Sequence, residues 1–133
     1  MQSSDTAGSV QLNHTIIHAR DNRASAAFLA DILGLEVGEE WGPFVPVVTA
    51  NGVTLDFATL PDGPITPHHY AFLVPEEDFD AIFARMYATG VDYFADPQKR
   101  YPGEINHNDG GRGVYFIDPA GHAMEVITRP YGG

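Results

Sequence analysis

Glu125 lies in the run Ala123-Met124-Glu125-Val126-Ile127, a lone carboxylate among apolar residues. Burying such a group is costly unless a cation or a proton compensates it. A metal ion would do so, and the chain offers partners for one. There is no cysteine, so thiolate ligation is excluded and only imidazole and carboxylate donors remain. His14 and His69 stand in β-branched or aromatic runs, and Asp56 is a second lone carboxylate between Leu55 and Phe57. Imidazole and carboxylate donors suit Fe(II), Mn(II), Ni(II), Co(II) or Zn(II). An ion held this way with open positions polarises the oxygens of a small molecule. Just before Glu125, a Gly-rich loop carries His107 and Arg112 and leads to Tyr115, then to the turn Asp118-Pro119-Ala120-Gly121.

The elements that must position these groups follow from periodicity. Leu12 to Ala19 reads as a first strand. Asp21 supplies an N-cap for a helix whose face is Ala24, Phe28 and Ile32, backed by Ala27, Leu29 and Leu33, and Gly34 ends it. Two strands are expected at 35–39 and 44–49. Asn51-Gly52 is a hairpin turn into a strand carrying Asp56. After a Pro- and Gly-rich linker the pattern restarts with a strand from His68 to Val74. Pro75 and three acids open a helix with Phe79, Ile82, Phe83 and Met86 on one face, closed by Gly90. A short strand at 91–94, a long loop at 96–113, and strands at 114–118 and 122–128 complete the chain.

The chain is therefore β-α-β-β-β written twice. The expected organisation is one α+β domain over 10–128, with module 1 at about 10–60, a linker at 61–67 and module 2 at 68–128. A flexible N-terminal tail (1–9) and a C-terminal tail (129–133) flank it. His14 and His69 occupy equivalent places in the two first strands. Asp56 and Glu125 each follow a turn glycine, Gly52 and Gly121, in the two last strands. Alternation puts His14, Ile16 and His18 on one face and His69, Ala71 and Leu73 on another. Each strand thus has an apolar back and a polar face that a curved mixed sheet turns into a cavity.

Composition removes several classes of function. The apolar fraction is 44% and mean hydropathy is −0.15, and no run approaches the roughly 20 apolar residues of a membrane span. The first ten residues read as a tail rather than a secretory signal. Eighteen acidic against seven basic residues, a net −11, argue against nucleic acid or an anionic membrane as partner. The absence of cysteine fits a cytoplasmic protein.

The set resembles the vicinal oxygen chelate superfamily, which includes glyoxalase I, fosfomycin-resistance transferases, bleomycin-binding proteins and extradiol dioxygenases. The marks are Leu12-Asn13-His14, His68-His69-Tyr70-Ala71-Phe72 and Asp118 through Glu125, so nearly the whole chain is covered. The resemblance implies the glyoxalase/bleomycin resistance/dioxygenase fold, His14, His69 and Glu125 as metal ligands, a homodimer, and a small substrate with two adjacent oxygens. A 2-His-1-carboxylate triad with open positions favours Fe(II). The order Ile105, His107, Tyr115, Asp118-Pro119, Gly121, Glu125 is similar to the extradiol dioxygenase signature. It implies oxidation of a catecholic substrate with Tyr115 and His107 steering protons. Extradiol enzymes carry a further histidine where this chain has Asp56. Glyoxalase I carries a fourth, carboxylate ligand on that strand, so Asp56 as ligand or proton carrier implies a lyase or isomerase working through an enediolate. Fosfomycin transferases place Thr where Ile16 stands. A metal-free pocket sequestering an antibiotic is a third reading.

Bland roles compete for each residue. Asp56 either touches metal or caps backbone, and Tyr115 either orients substrate or is a strand aromatic with a satisfied hydroxyl. His107 and Arg112 either reach substrate or are exposed loop residues. His18 lines the cavity, while Trp41 and Phe44 either wall a pocket for an aromatic ligand or belong to the core.

Overall fold

Asp21 opens helix α1 (Asn22–Leu33) by accepting hydrogen bonds from the Arg23 and Ala24 N–H groups at 3.1 and 3.2 Å. Gly34 closes it in the left-handed conformation, φ 73°, where its N–H reaches the Ala30 carbonyl. The computed structural model describes residues 8–131; most of the expected N-terminal tail (1–7) and Gly132 and Gly133 lie outside the described residues.

Strand β1 (His14–Ala19) pairs in parallel with β3 (Thr54–Thr59), and β2 (Phe44–Val48) lies antiparallel on the other side of β3. The second sheet has the order β4-β7-β6-β5, from β4 (His69–Leu73), β5 (Tyr93–Phe94), β6 (Gly113–Ile117) and β7 (Ala123–Ile127). Its β4–β7 pair is parallel and the others are antiparallel. Helix α2 (Phe79–Ala88) belongs to the second module and packs on α1. The result is the α+β architecture expected from the repeat.

A single core joins the modules. Ile17, Leu29, Ile32, Val45, Val47 and Phe57 from the first meet Phe79, Ile82, Met86, Phe116, Met124 and Val126 from the second. Each large side chain contributes about 1.5–3 kcal/mol by leaving water. Residues 35–39 differ from expectation, because only Val37 bridges to Val47. Gly38 donates to the Pro46 carbonyl at 2.8 Å, but Pro46 has no N–H to return, so the ladder stops there. The buried face of α1 is Ser25, Ala26, Leu29, Ala30 and Ile32, rotated from the expected one, and Ala24 and Ala27 are exposed. In an alanine-rich helix, small side chains weight one face little over another, and packing sets the phase.

His122, fully buried, ties the modules directly. Its Nδ1 accepts from the His68 N–H at 3.0 Å and its Nε2–H donates to the His18 carbonyl at 2.8 Å. The turn before it is held by Asp118, whose Oδ1 accepts from the Ala120 and His122 N–H groups, and Gly121 supplies the required positive φ of 96°. His122→Ala would remove a fully buried ring and leave two part-buried backbone groups without that partner, so we expect a loss of about 2–4 kcal/mol in urea unfolding. A change under about 0.5 kcal/mol would mean that water replaces the ring. Among the described residues, no helix is long and apolar enough to cross a membrane.

Candidate metal and substrate site

The site starts from one row of the second sheet. Ala71, Glu125, Tyr115 and Phe94 are cross-strand neighbours on a single face, and His69 lies one rung along beside Ala123. Two registers, β4 on β7 and β6 on β7, therefore place an imidazole and a phenol on either side of one carboxylate. The Glu125 side chain is only 1% exposed, whereas that of His69 is 45% exposed. The His69 Nε2–H donates to Glu125 Oε1 at 2.9 Å. The His69 and Tyr115 rings lie 5.9 Å apart.

A second phenol completes the surroundings of Glu125. The Tyr131 hydroxyl is 2.7 Å from both carboxylate oxygens, in reach to donate to either, and the Tyr115 hydroxyl lies 3.2 Å from the Tyr131 hydroxyl. Tyr131 gets there because the end of the chain is stitched to the loop before β6. The Thr128 N–H donates to the Arg112 carbonyl at 3.0 Å, and the Arg112 N–H donates to Thr128 Oγ1 at 2.8 Å. Gly111 allows this approach, since a Cβ there would sit 2.5 Å from Thr128 Oγ1. Burial, reinforced by the bonds to Tyr131 and Glu125, pushes the Tyr115 phenol well above its ordinary range. It stays protonated near neutrality and serves as a hydrogen-bond donor rather than a base.

The other sheet carries the symmetric set. Ile16, Asp56 and Pro46 form its central row, and His14 and His18 flank Ile16 on the same face. Asp56 is 3% exposed, and its Oδ1 has no hydrogen-bond partner. The His14 ring is exposed, and its Nδ1–H donates to Asn13 Oδ1 at 2.8 Å.

The fold thus brings His69 and Glu125 together but leaves His14 and Asp56 on the separate first sheet. Among the described residues of one chain, no three potential donors gather closely enough to hold a metal. The pair that does meet fits a divalent ion. Neighbouring donors on an octahedral ion with bonds of about 2.1 Å stand about 3 Å apart, and His69 Nε2 and Glu125 Oε1 are 2.9 Å apart.

The remaining residues are placed as follows. Arg112 faces the start of α2 and the turn before it, where it pairs with Asp80 and Glu76 at 2.6 Å each and lies 4.5 Å over the Phe79 ring. These two carboxylates raise its guanidinium pKa, with burial opposing them. His107 is exposed ahead of a short helical turn (Asn108–Gly110). Trp41, 58% exposed, packs its ring 4.9 Å from Phe44 at the start of β2. Phe44 shares the face of Asp56, and His18 lies along the same face from His14. Between the free edges of β1 and β4 runs an apolar groove of about 560 Å³ that includes Leu12, Leu55, His69 and Leu73. Tyr131 was missed by sequence reasoning, which put it in a tail; the available signal was a bulky aromatic directly after Pro130.

The family model of the Glyoxalase/Bleomycin resistance protein/Dioxygenase superfamily matches residues 11–126. The chain belongs to that superfamily. Its members are usually metal-dependent enzymes, which bind a divalent ion, act on small molecules with adjacent oxygens and are often dimers. Within it, the chain is 63% identical to the solved structure "Oxidase ChaP-H2", with a TM-score of 0.91 over 94% of this chain and 98% of that one. It is 58% identical to "Oxidase ChaP-H1", with a TM-score of 0.90 over 94% of this chain and 100% of that one. "Glutathione transferase FosA" of Serratia marcescens is 28% identical over 120 residues, covering 86% of this chain and 78% of the relative. The neighbouring His69 and Glu125 thus lie in a chain whose superfamily consists mostly of metal-dependent enzymes.

Proposed function

We propose that this protein is a metal-dependent oxidase of the extradiol dioxygenase type, acting on a small aromatic molecule with two adjacent oxygens, such as a catechol. The observation that carries it is the buried Glu125 carboxylate 2.9 Å from His69 Nε2, with the Tyr115 phenol on the neighbouring strand. The 58–63% identity to two proteins described as oxidases supports oxidation over other chemistries of the superfamily. His69 and Glu125 would hold the ion, with His14 supplied by a second copy of the chain. Fe(II) suits this imidazole-carboxylate set, with Mn(II), Ni(II), Co(II) and Zn(II) as alternatives. When bound, such an ion polarises the two substrate oxygens. Tyr115, protonated at neutral pH, gives its proton to the Tyr131 oxygen and accepts from a substrate hydroxyl, which orients the substrate. His107, in the loop before β6, moves protons if substrate orders that loop.

The homodimer is supported by two free sheet edges, β1 and β4, and by exposed apolar side chains beside them. Leu12 is 68% exposed, Ile16 47% and Leu73 59%. Unpaired, apolar edges of this kind are ordinarily covered. A second copy laid there sets the sheet of His14 and Asp56 opposite that of His69 and Glu125.

A second reading, a glyoxalase-type lyase or isomerase, is favoured by one observation. The Asp56 carboxylate is buried with one oxygen unpartnered, as a fourth ligand or proton carrier awaiting its counterpart would be. The test is to reconstitute the protein anaerobically with Fe(II), then add catechols and O2. Oxygen uptake with a yellow ring-fission product is expected. Tight Ni(II) or Zn(II) binding with no oxygen uptake under Fe(II) would favour the lyase or isomerase. No metal binding, with ligand affinity unchanged in His14→Ala, would sink both readings.

A further inference from the structure

We propose that Tyr131 is a positioning residue for Glu125. Its phenol holds the outer carboxylate oxygen, so that the carboxylate presents a single oxygen beside His69. This rests on the metal-site reading above. Glu125 is 1% exposed, so both of its oxygens need partners from the protein. Oε1 faces His69 Nε2 at 2.9 Å. When that nitrogen and Oε1 serve as donors to an ion, Nε2 carries no proton and its hydrogen bond to Glu125 is gone. Oε2 then remains as a buried anionic oxygen, and among the described residues the group within reach is the Tyr131 hydroxyl at 2.7 Å.

The phenol proton can serve only one oxygen at a time, although both lie at 2.7 Å. Engaging Oε1 with an ion resolves that choice in favour of Oε2. The Tyr131 oxygen in turn accepts from the Tyr115 hydroxyl at 3.2 Å, making a relay Tyr115 to Tyr131 to Glu125. The relay fixes the carboxylate and also ties its orientation to the phenol that faces substrate. The arrangement is not an accident of a loose end. Thr128 is bonded twice to Arg112, Gly111 lies against Thr128 and Arg129, and Pro130 restricts the backbone just before Tyr131.

Tyr131→Phe in the full chain removes the hydroxyl and keeps the ring. Affinity for Co(II), measured against a competing chelator, is expected to fall about 10–100-fold, the range found when a partner of a ligand is lost. The visible Co(II) spectrum should shift as well, because a carboxylate free to rotate engages the ion through both oxygens. Tyr115→Phe, which removes only the outer end of the relay, should give a smaller loss. Loss of packing alone would not move the spectrum. Wild-type affinity and spectrum in Tyr131→Phe would overturn the proposal while leaving the metal site standing. Absence of Co(II) binding by the wild-type protein would overturn both.

Discussion

Glu125→Gln is expected to abolish divalent-metal binding while leaving the protein folded. The amide keeps the size of the carboxylate and still accepts from Tyr131, but it loses the charge that makes the side chain a ligand. The effect should exceed the 10–100-fold typical of losing a group behind a ligand, so a fall of more than about 100-fold is expected. Stability of the metal-free protein should change little or rise. A carboxylate 1% exposed is costly to desolvate, and a neutral amide relieves that cost. Thermal unfolding separates the two consequences. Metal raises the midpoint of the wild-type protein according to concentration over Kd, whereas the midpoint of Glu125→Gln stays flat as metal is added. An unchanged metal affinity in this variant would remove Glu125 from the ligand set.

The second large effect concerns which chain supplies His14. His14→Ala and His69→Ala should each lose tight metal binding when prepared alone. Refolded together, they should recover part of it. In a dimer whose sites take His14 from one copy and His69 with Glu125 from the other, half of the randomly formed dimers are mixed. Each mixed dimer has one intact site of two, so about one quarter of wild-type capacity should return. A site built within one chain would recover nothing, because every chain carries a defect. Metal binding by His14→Ala alone at wild-type affinity would show that His69 and Glu125 need no histidine from the first sheet. Metal content per chain after gel filtration of the mixed sample reads all three outcomes.

Much of the molecule was legible without coordinates, for a local reason. Side-chain alternation along a strand and caps at helix ends depend on a few consecutive residues. Asp21 and Gly34 could therefore be assigned to the ends of α1, and Glu125 to the face opposite Met124 and Val126. The internal repeat carried that local reading across the chain, pairing His14 with His69 and Asp56 with Glu125. It was the repeat, not any single motif, that pointed to a cavity lined by ligands.

The tertiary structure decided what depends on distant residues. Whether 35–39 could form a strand turned on its neighbour, Pro46, which lacks the N–H that a ladder needs. Arg112 is a plausible substrate contact in a Gly-rich loop until its partners are known. Glu76 and Asp80, 36 and 32 residues away, neutralise it at the N-terminal end of α2. Tyr131 reads as a tail residue until Thr128 is seen stitched to Arg112. Above all, the sequence determined which donors share a strand face, since alternation is built into the backbone. Only the long-range pairing of strands decided that β4 lies beside β7, so that His69 meets Glu125 within one chain, while His14 and Asp56 lie on the separate sheet.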